Sequence, residues 1–142
     1  MKTLIKKEWL DEGWLDVNKH LIVDALPKSM RYLLLLVPLV DVLKIISTYG
    51  GARVYIASRP KPNHALVKLI GMESAQAIAG SEGGLILEIP LAMKVQNKIR
   101  NYAILASLAQ GVSQSKTARA FGVTERTVRN TKKAHLTTQG VN

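Results

Sequence analysis

The sequence predicts a mainly α-helical protein with a small β element. An N-terminal helical and short-strand dimerisation domain is expected over residues 1–90 and a C-terminal helix-turn-helix domain over 91–142. Charge supplies the first observation. Residues 1–90 hold 11 Lys and Arg against 9 Asp and Glu, a net of +2, whereas residues 91–142 hold 9 against the single Glu125, a net of +8. A nearly neutral front and a strongly basic back imply a folded support followed by a polyanion-binding part. The second observation is punctuation: prolines and glycines leave helix-length segments and two short strand-like runs. The third is the residue spacing within Gln114–Lys133, treated below.

At 142 residues and 47% hydrophobic the chain is long and apolar enough for one or two cores. It contains no cysteine, which removes disulfides and thiolate metal sites and fits a reducing compartment such as a bacterial cytoplasm, with association to the nucleoid. Met1–Leu10 has lysines but no apolar stretch of signal-peptide length. The longest apolar run, Leu33–Val40, is too short for a bilayer and is interrupted by Pro38, so no membrane partner is expected.

Leu4–Asp24 shows partial helical spacing through Leu10, Trp14, Val17 and Leu21, and Leu26-Pro27 marks a break. Ser29 is placed to cap a helix running from Arg31 toward Tyr49. That helix would be apolar on nearly all sides from Leu33 to Ile46. Burial against a second copy is the simple way to cover it, which predicts a homodimer; a self-sufficient monomeric core is the other solution. Gly50-Gly51 ends the helix and opens a strand, Arg53–Ile56, closed by Pro60 and Pro62. Short helices are expected at His64–Gly71 and Met72–Ala79. A turn at Gly80–Gly84 and a second strand, Leu85–Ile89, follow. The glycine cluster lacks the Lys-Ser/Thr ending and following helix of a phosphate loop.

Leu91–Gln110 reads as one helix with Val95, Ile99, Tyr102, Leu105 and Leu108 or Ala109 along one side, and Gly111 suits a left-handed cap. Ser113 should cap a helix over Gln114–Phe121. Gly122-Val123 makes the turn, and Thr124 caps a last helix from Glu125 to about His135, with fraying from Thr137. In a helix-turn-helix, close crossing of two helices dictates the spacing. A small residue is needed at the crossing (Ala118) and a positive-φ glycine four residues later (Gly122). An apolar plug follows (Val123), then an apolar side chain returning inward six residues past the glycine (Val128). Thr117 and Thr131 stand where larger apolar residues are usual.

With Val128 inward, Arg126, Arg129, Asn130 and Lys133 share the outward face of the last helix, and Glu125 and Thr127 lie near its start. Arg can make bidentate contacts to guanine and Asn to adenine, and Glu125 can accept from cytosine or favour the helix N-terminus. Gln114, Ser115 and Lys116 open the preceding helix, where backbone N–H groups and Lys suit a phosphate. Double-stranded DNA is therefore the expected partner, read by a set that includes Thr124 at the cap.

Enzyme chemistry finds no support in the residues, and no catalytic residue, metal or cofactor is expected. His20, His64 and His135 lack ligand spacing. Asp11, Glu12 and Asp16 are explained as an exposed acidic helix face. The competing reading is a DNA-binding assembly protein, such as a small terminase-like packaging subunit. It would share the helix-turn-helix but form a ring.

Over roughly Leu26 to His135 the chain resembles the Mor/C family of phage transcription activators, the middle and late gene regulators of Mu-like phages. The resemblance rests on LPKSM before an apolar helix, YGGARVYI, LIGMESAQAIAGSEGGLILEIP and GVSQSKTARAFGVTERTV. It implies a dimer that binds an imperfect inverted repeat beside a weak promoter and helps recruit host RNA polymerase. It also implies that the glycine-tyrosine strand, here Gly51, Arg53 and Tyr55, contributes to DNA binding and distortion. Arg53 stands where the family has an uncharged amide, and YIAS where a proline and a basic residue usually follow YI.

Overall fold

The computed structural model describes Trp9, Leu10 and residues 12–138. The chain is mainly helical and divides into two compact units, Met1–Gln96 and Asn97–Asn142.

The first unit opens with α1 (Glu12–Val17) and α2 (Lys19–Ala25), separated at Asn18. Leu15, Ile22 and Ala25 are buried here, while Val17 is 76% exposed, so the expected inward role of Val17 is corrected. The break at Asn18 resets the helical phase between the two segments, which a single continuous periodicity misses. Arg31 donates from Nε to the Leu26 carbonyl and from Nη2 to the Asp24 carbonyl, each at 3.0 Å, and satisfies acceptors at the end of α2.

The long helix expected from Arg31 to Tyr49 is three pieces: α3 (Lys28–Arg31), a 3-10 turn (Tyr32–Leu35) and α4 (Leu39–Tyr49). Ser29 lies inside α3, whose N-cap is Pro27, and makes no cap. Pro38 is the physical cause of the second break, since a helix cannot donate through it; it serves as the N-cap of α4. Segmentation also changes the burial argument. Leu33, Val37, Leu39, Val42, Leu43, Ile45 and Ile46 are all buried within one chain, and Leu35 alone of this stretch's leucines is turned out, 88% exposed. The apolar run therefore finds most of its cover without a second copy.

Within α4 the buried Asp41 sits in the first turn, where a carboxylate is favoured by the helix N-terminus. Ser74 Oγ donates to its Oδ2 at 2.5 Å, tying α4 to the helix Met72–Glu82. Helices α5 (Ala65–Ile70) and α6 (Met72–Glu82) follow, with Ile70, Ala75 and Ile78 buried. Helix α6 runs through Gly80 to Glu82, so the expected turn narrows to Gly83-Gly84. Gly80 is exposed and has open space around it, so it can stay helical, whereas a Cβ on Gly83 would lie 2.5 Å from the Ala79 carbonyl oxygen.

Strands β1 (Arg53–Tyr55) and β2 (Ile86–Glu88) pair antiparallel within the chain, with Arg53 opposite Glu88, Val54 opposite Leu87 and Tyr55 opposite Ile86. Backbone bonds extend the ladder at both ends, from Gly51 N to Ile89 O (2.7 Å) and from Gly84 N to Ile56 O (2.7 Å).

Helix α7 (Met93–Ala109) leads to α8 (Gln114–Phe121) and α9 (Glu125–Thr138). Gly111 takes φ +89, as a left-handed end of α7 requires. In the second unit Ile104, Ala118 and Val128 form the buried core, with Leu108, Phe121 and Val123 packed on it. Ile104 replaces the expected Leu105, which is half-buried, and Ala109 is exposed. Helix α9 continues past His135 to Thr138; residues 139–142 of the expected frayed end lie outside the described part.

Candidate nucleic-acid interface

The turn between α8 and α9 is built from local chemistry. Ser113 Oγ accepts the Lys116 amide at 3.1 Å and caps α8. Gly122 adopts φ +66, ψ 32, a left-handed conformation that a side chain at Cβ would strain. The Val123 amide then donates to the Ala118 carbonyl at 3.0 Å, which seats Val123 against the core. Thr124 Oγ1 accepts the Thr127 amide at 3.1 Å and starts α9. Each capping element expected around this turn is in place.

The two threonines at normally apolar positions are explained by their partners. Thr117 is fully buried and its hydroxyl lies 3.3 Å from Ser107 Oγ on α7. Thr131 is buried and donates its hydroxyl to the Thr127 carbonyl at 2.8 Å. Both side chains are buried and both hydroxyls are satisfied.

This packing fixes which way α9 faces. Val128 and Thr131 turn inward, and Arg126, Arg129, Asn130 and Lys133 are exposed within an arc of about 100° at 3.6 residues per turn. Glu125 is exposed on the flank and Thr127 is half-buried. Lys132 is also exposed, close in angle to Glu125, and was not singled out from the sequence; its outward angle follows once Thr131 is recognised as inward. On α8, Ser115, Lys116 and Arg119 are exposed and Gln114 is half-buried. The Lys116 amide is already taken by Ser113, so of the three residues expected at a phosphate, Gln114 and Ser115 keep the N–H groups that face outward from the helix start. Residues 97–142 carry 8 Lys and Arg against Glu125, a net of +7.

The strand residues belong to the first unit. Arg53 and Tyr55 are exposed on one face of the ribbon, and Gly51 is exposed just before it with φ +84. Opposite them stand Ile86, 62% exposed, and Glu88, whose Oε1 lies 3.3 Å from Arg53 Nη2. The sequence did not reveal the Glu88 partnership, because cross-strand register is a property of the fold. Gly51, Ala52, Arg53, Glu88, Ile89 and Pro90, with Ser29, line a hollow of about 480 Å³.

Among the described residues no three His, Asp or Glu side chains come together as a metal site, and no helix is long and apolar enough to cross a membrane. His64 Nδ1 accepts the Lys61 amide at 3.2 Å in the loop after β1.

No curated protein and no solved structure matches the chain. Residues 93–142 match the family model of a homeodomain-like domain, and the C-terminal part of this chain is accordingly a helix-turn-helix DNA-binding domain.

Proposed function

We propose that the chain is a sequence-specific transcription regulator that works as a homodimer on an inverted repeat. The observation that carries the reading is the exposed Arg126, Arg129, Asn130 and Lys133 face of α9, projected from a helix-turn-helix whose caps and core are complete. Such a helix lies in the major groove, where Arg and Asn distinguish guanine and adenine by paired hydrogen bonds. Gln114, Ser115, Lys116 and the capped turn at Thr124 hold phosphates and set the register. Glu125 and Thr127 stand at the N-terminal end of α9, the end that meets base edges in this geometry.

One such head reads few base pairs, and two related by symmetry read half-sites about 10 bp or a multiple apart. The large exposed side chains Val17 and Leu35 of the first unit support self-association, although the apolar stretch around them is mostly covered within the chain. The resemblance to the Mor/C activators supports the finer reading: activation of phage or prophage promoters by recruiting host RNA polymerase, with the ribbon residues Gly51, Arg53 and Tyr55 approaching the minor groove. The exposure of Arg53 and Tyr55 on one ribbon face agrees with that role.

Two measurements test this function. Solution mass near twice 15.6 kDa is expected; a large ring would favour a packaging subunit instead. In transcription with purified bacterial RNA polymerase, a template bearing the bound site should give more product when the protein is added. Less product would make it a repressor.

A further inference from the structure

The ribbon face is mixed in charge at one place only among its described strand residues: the directly opposed pair Arg53 and Glu88. Their charged atoms are 3.3 Å apart and both side chains are about three-quarters exposed, at 74% and 77%. Tyr55 and Ile86 extend the same face at 63% and 62% exposure, so this surface is open to an approaching duplex. An ion pair this exposed is weak in water, and its members can exchange partners readily. Phosphate is the stronger partner for a guanidinium, which it can bind through two parallel hydrogen bonds.

We propose that Glu88 attenuates DNA binding at this face: its carboxylate competes with DNA phosphate for Arg53 and weakens binding to every duplex that takes Arg53. The proposal rests on the reading that the ribbon contacts DNA. Arg53 can turn to DNA only by leaving the Glu88 carboxylate, a cost met by any sequence. The gain from Arg53 is large only where a narrow minor groove concentrates negative potential. The cost of releasing Arg53 is thus common to all sequences, whereas discrimination between them comes from the attraction.

The test uses the full chain as wild type, Arg53→Ala, Glu88→Gln and the double variant. Glu73→Gln on α6, also exposed, removes the same charge away from the ribbon. Affinity is measured for a random-sequence duplex and for a duplex selected by the wild type, across a range of salt, with thermal unfolding to confirm that each variant folds. Arg53→Ala should weaken binding. Glu88→Gln should tighten binding to random duplex about two- to fivefold, the range an exposed ion pair supports. Its log–log salt slope should steepen by about 0.9, one phosphate's worth. Binding to the selected duplex should tighten by at least as much, and the whole effect should vanish in the Arg53→Ala background. If Glu88→Gln has no effect, acts equally without Arg53, or matches Glu73→Gln, the competition is overturned. If Arg53→Ala leaves binding unchanged, the ribbon reading itself fails.

Discussion

The hydroxyl oxygens of Ser107 and Thr117 stand 3.3 Å apart and join α7 to α8. Thr117 is fully buried, whereas Ser107 is half-buried. The two positions should therefore respond unequally. Ser107→Ala strands a buried hydroxyl and should cost about 1–3 kcal/mol, while Thr117→Val leaves a serine that can reach water and should cost about 0.5–1.5 kcal/mol. The double variant should cost less than the sum, as measured by denaturant unfolding. Additive losses would show that the pair is not coupled.

The turn makes a second prediction. Gly122→Ala forces a Cβ into left-handed backbone and should cost about 1–2 kcal/mol. Val128→Ala, which removes two methyl groups from the core beside Ile104 and Ala118, should cost about 2 kcal/mol. Both substitutions leave the α9 surface residues in place. Any DNA binding they lose should return on cooling or with stabilising osmolytes, as followed by thermal unfolding and a binding titration in parallel.

Tyr32 supplies a pH prediction. Burial raises its pKa above the ordinary value, and the charge of Glu82 and a hydrogen bond to it act in the same direction. The folded state therefore holds the phenolic proton more tightly than the unfolded chain does. This contribution to stability is complete below the ordinary tyrosine value of about 10 and is lost as pH rises through the raised folded value. An alkaline absorbance titration should show one phenol ionising late, and Tyr32→Phe should remove that step. Early ionisation of Tyr32 would contradict the contact with Glu82.

The C-terminal domain was the most legible part of the chain because its constraints are local. The crossing of α8 and α9 demands Ala118, Gly122, Val123 and Val128 at fixed offsets, and each takes its expected place. Ser113 and Thr124 act within three residues of themselves, so their capping roles can also be read directly. The region from Arg31 to Tyr49 was less legible. Its apolar periodicity suggested one helix, but Pro38 breaks the backbone ladder and lets most of the stretch turn into its own core. The Arg53–Glu88 pair depends on strands 35 residues apart in numbering and on their register, which no local spacing displays.

In the proposed function α9 reads sequence through Arg126, Arg129 and their neighbours. The most direct test is selection of bound fragments from random duplex DNA at about 0.15 M salt, where nonspecific binding is already weakened. The wild type is compared with an Arg126→Ala/Arg129→Ala variant. Recovery of an inverted repeat by the wild type, lost in a variant that still folds, is the predicted result. Recovery of the same motif by both proteins would remove α9 as the reader. Recovery of no motif by the wild type would contradict sequence-specific recognition altogether.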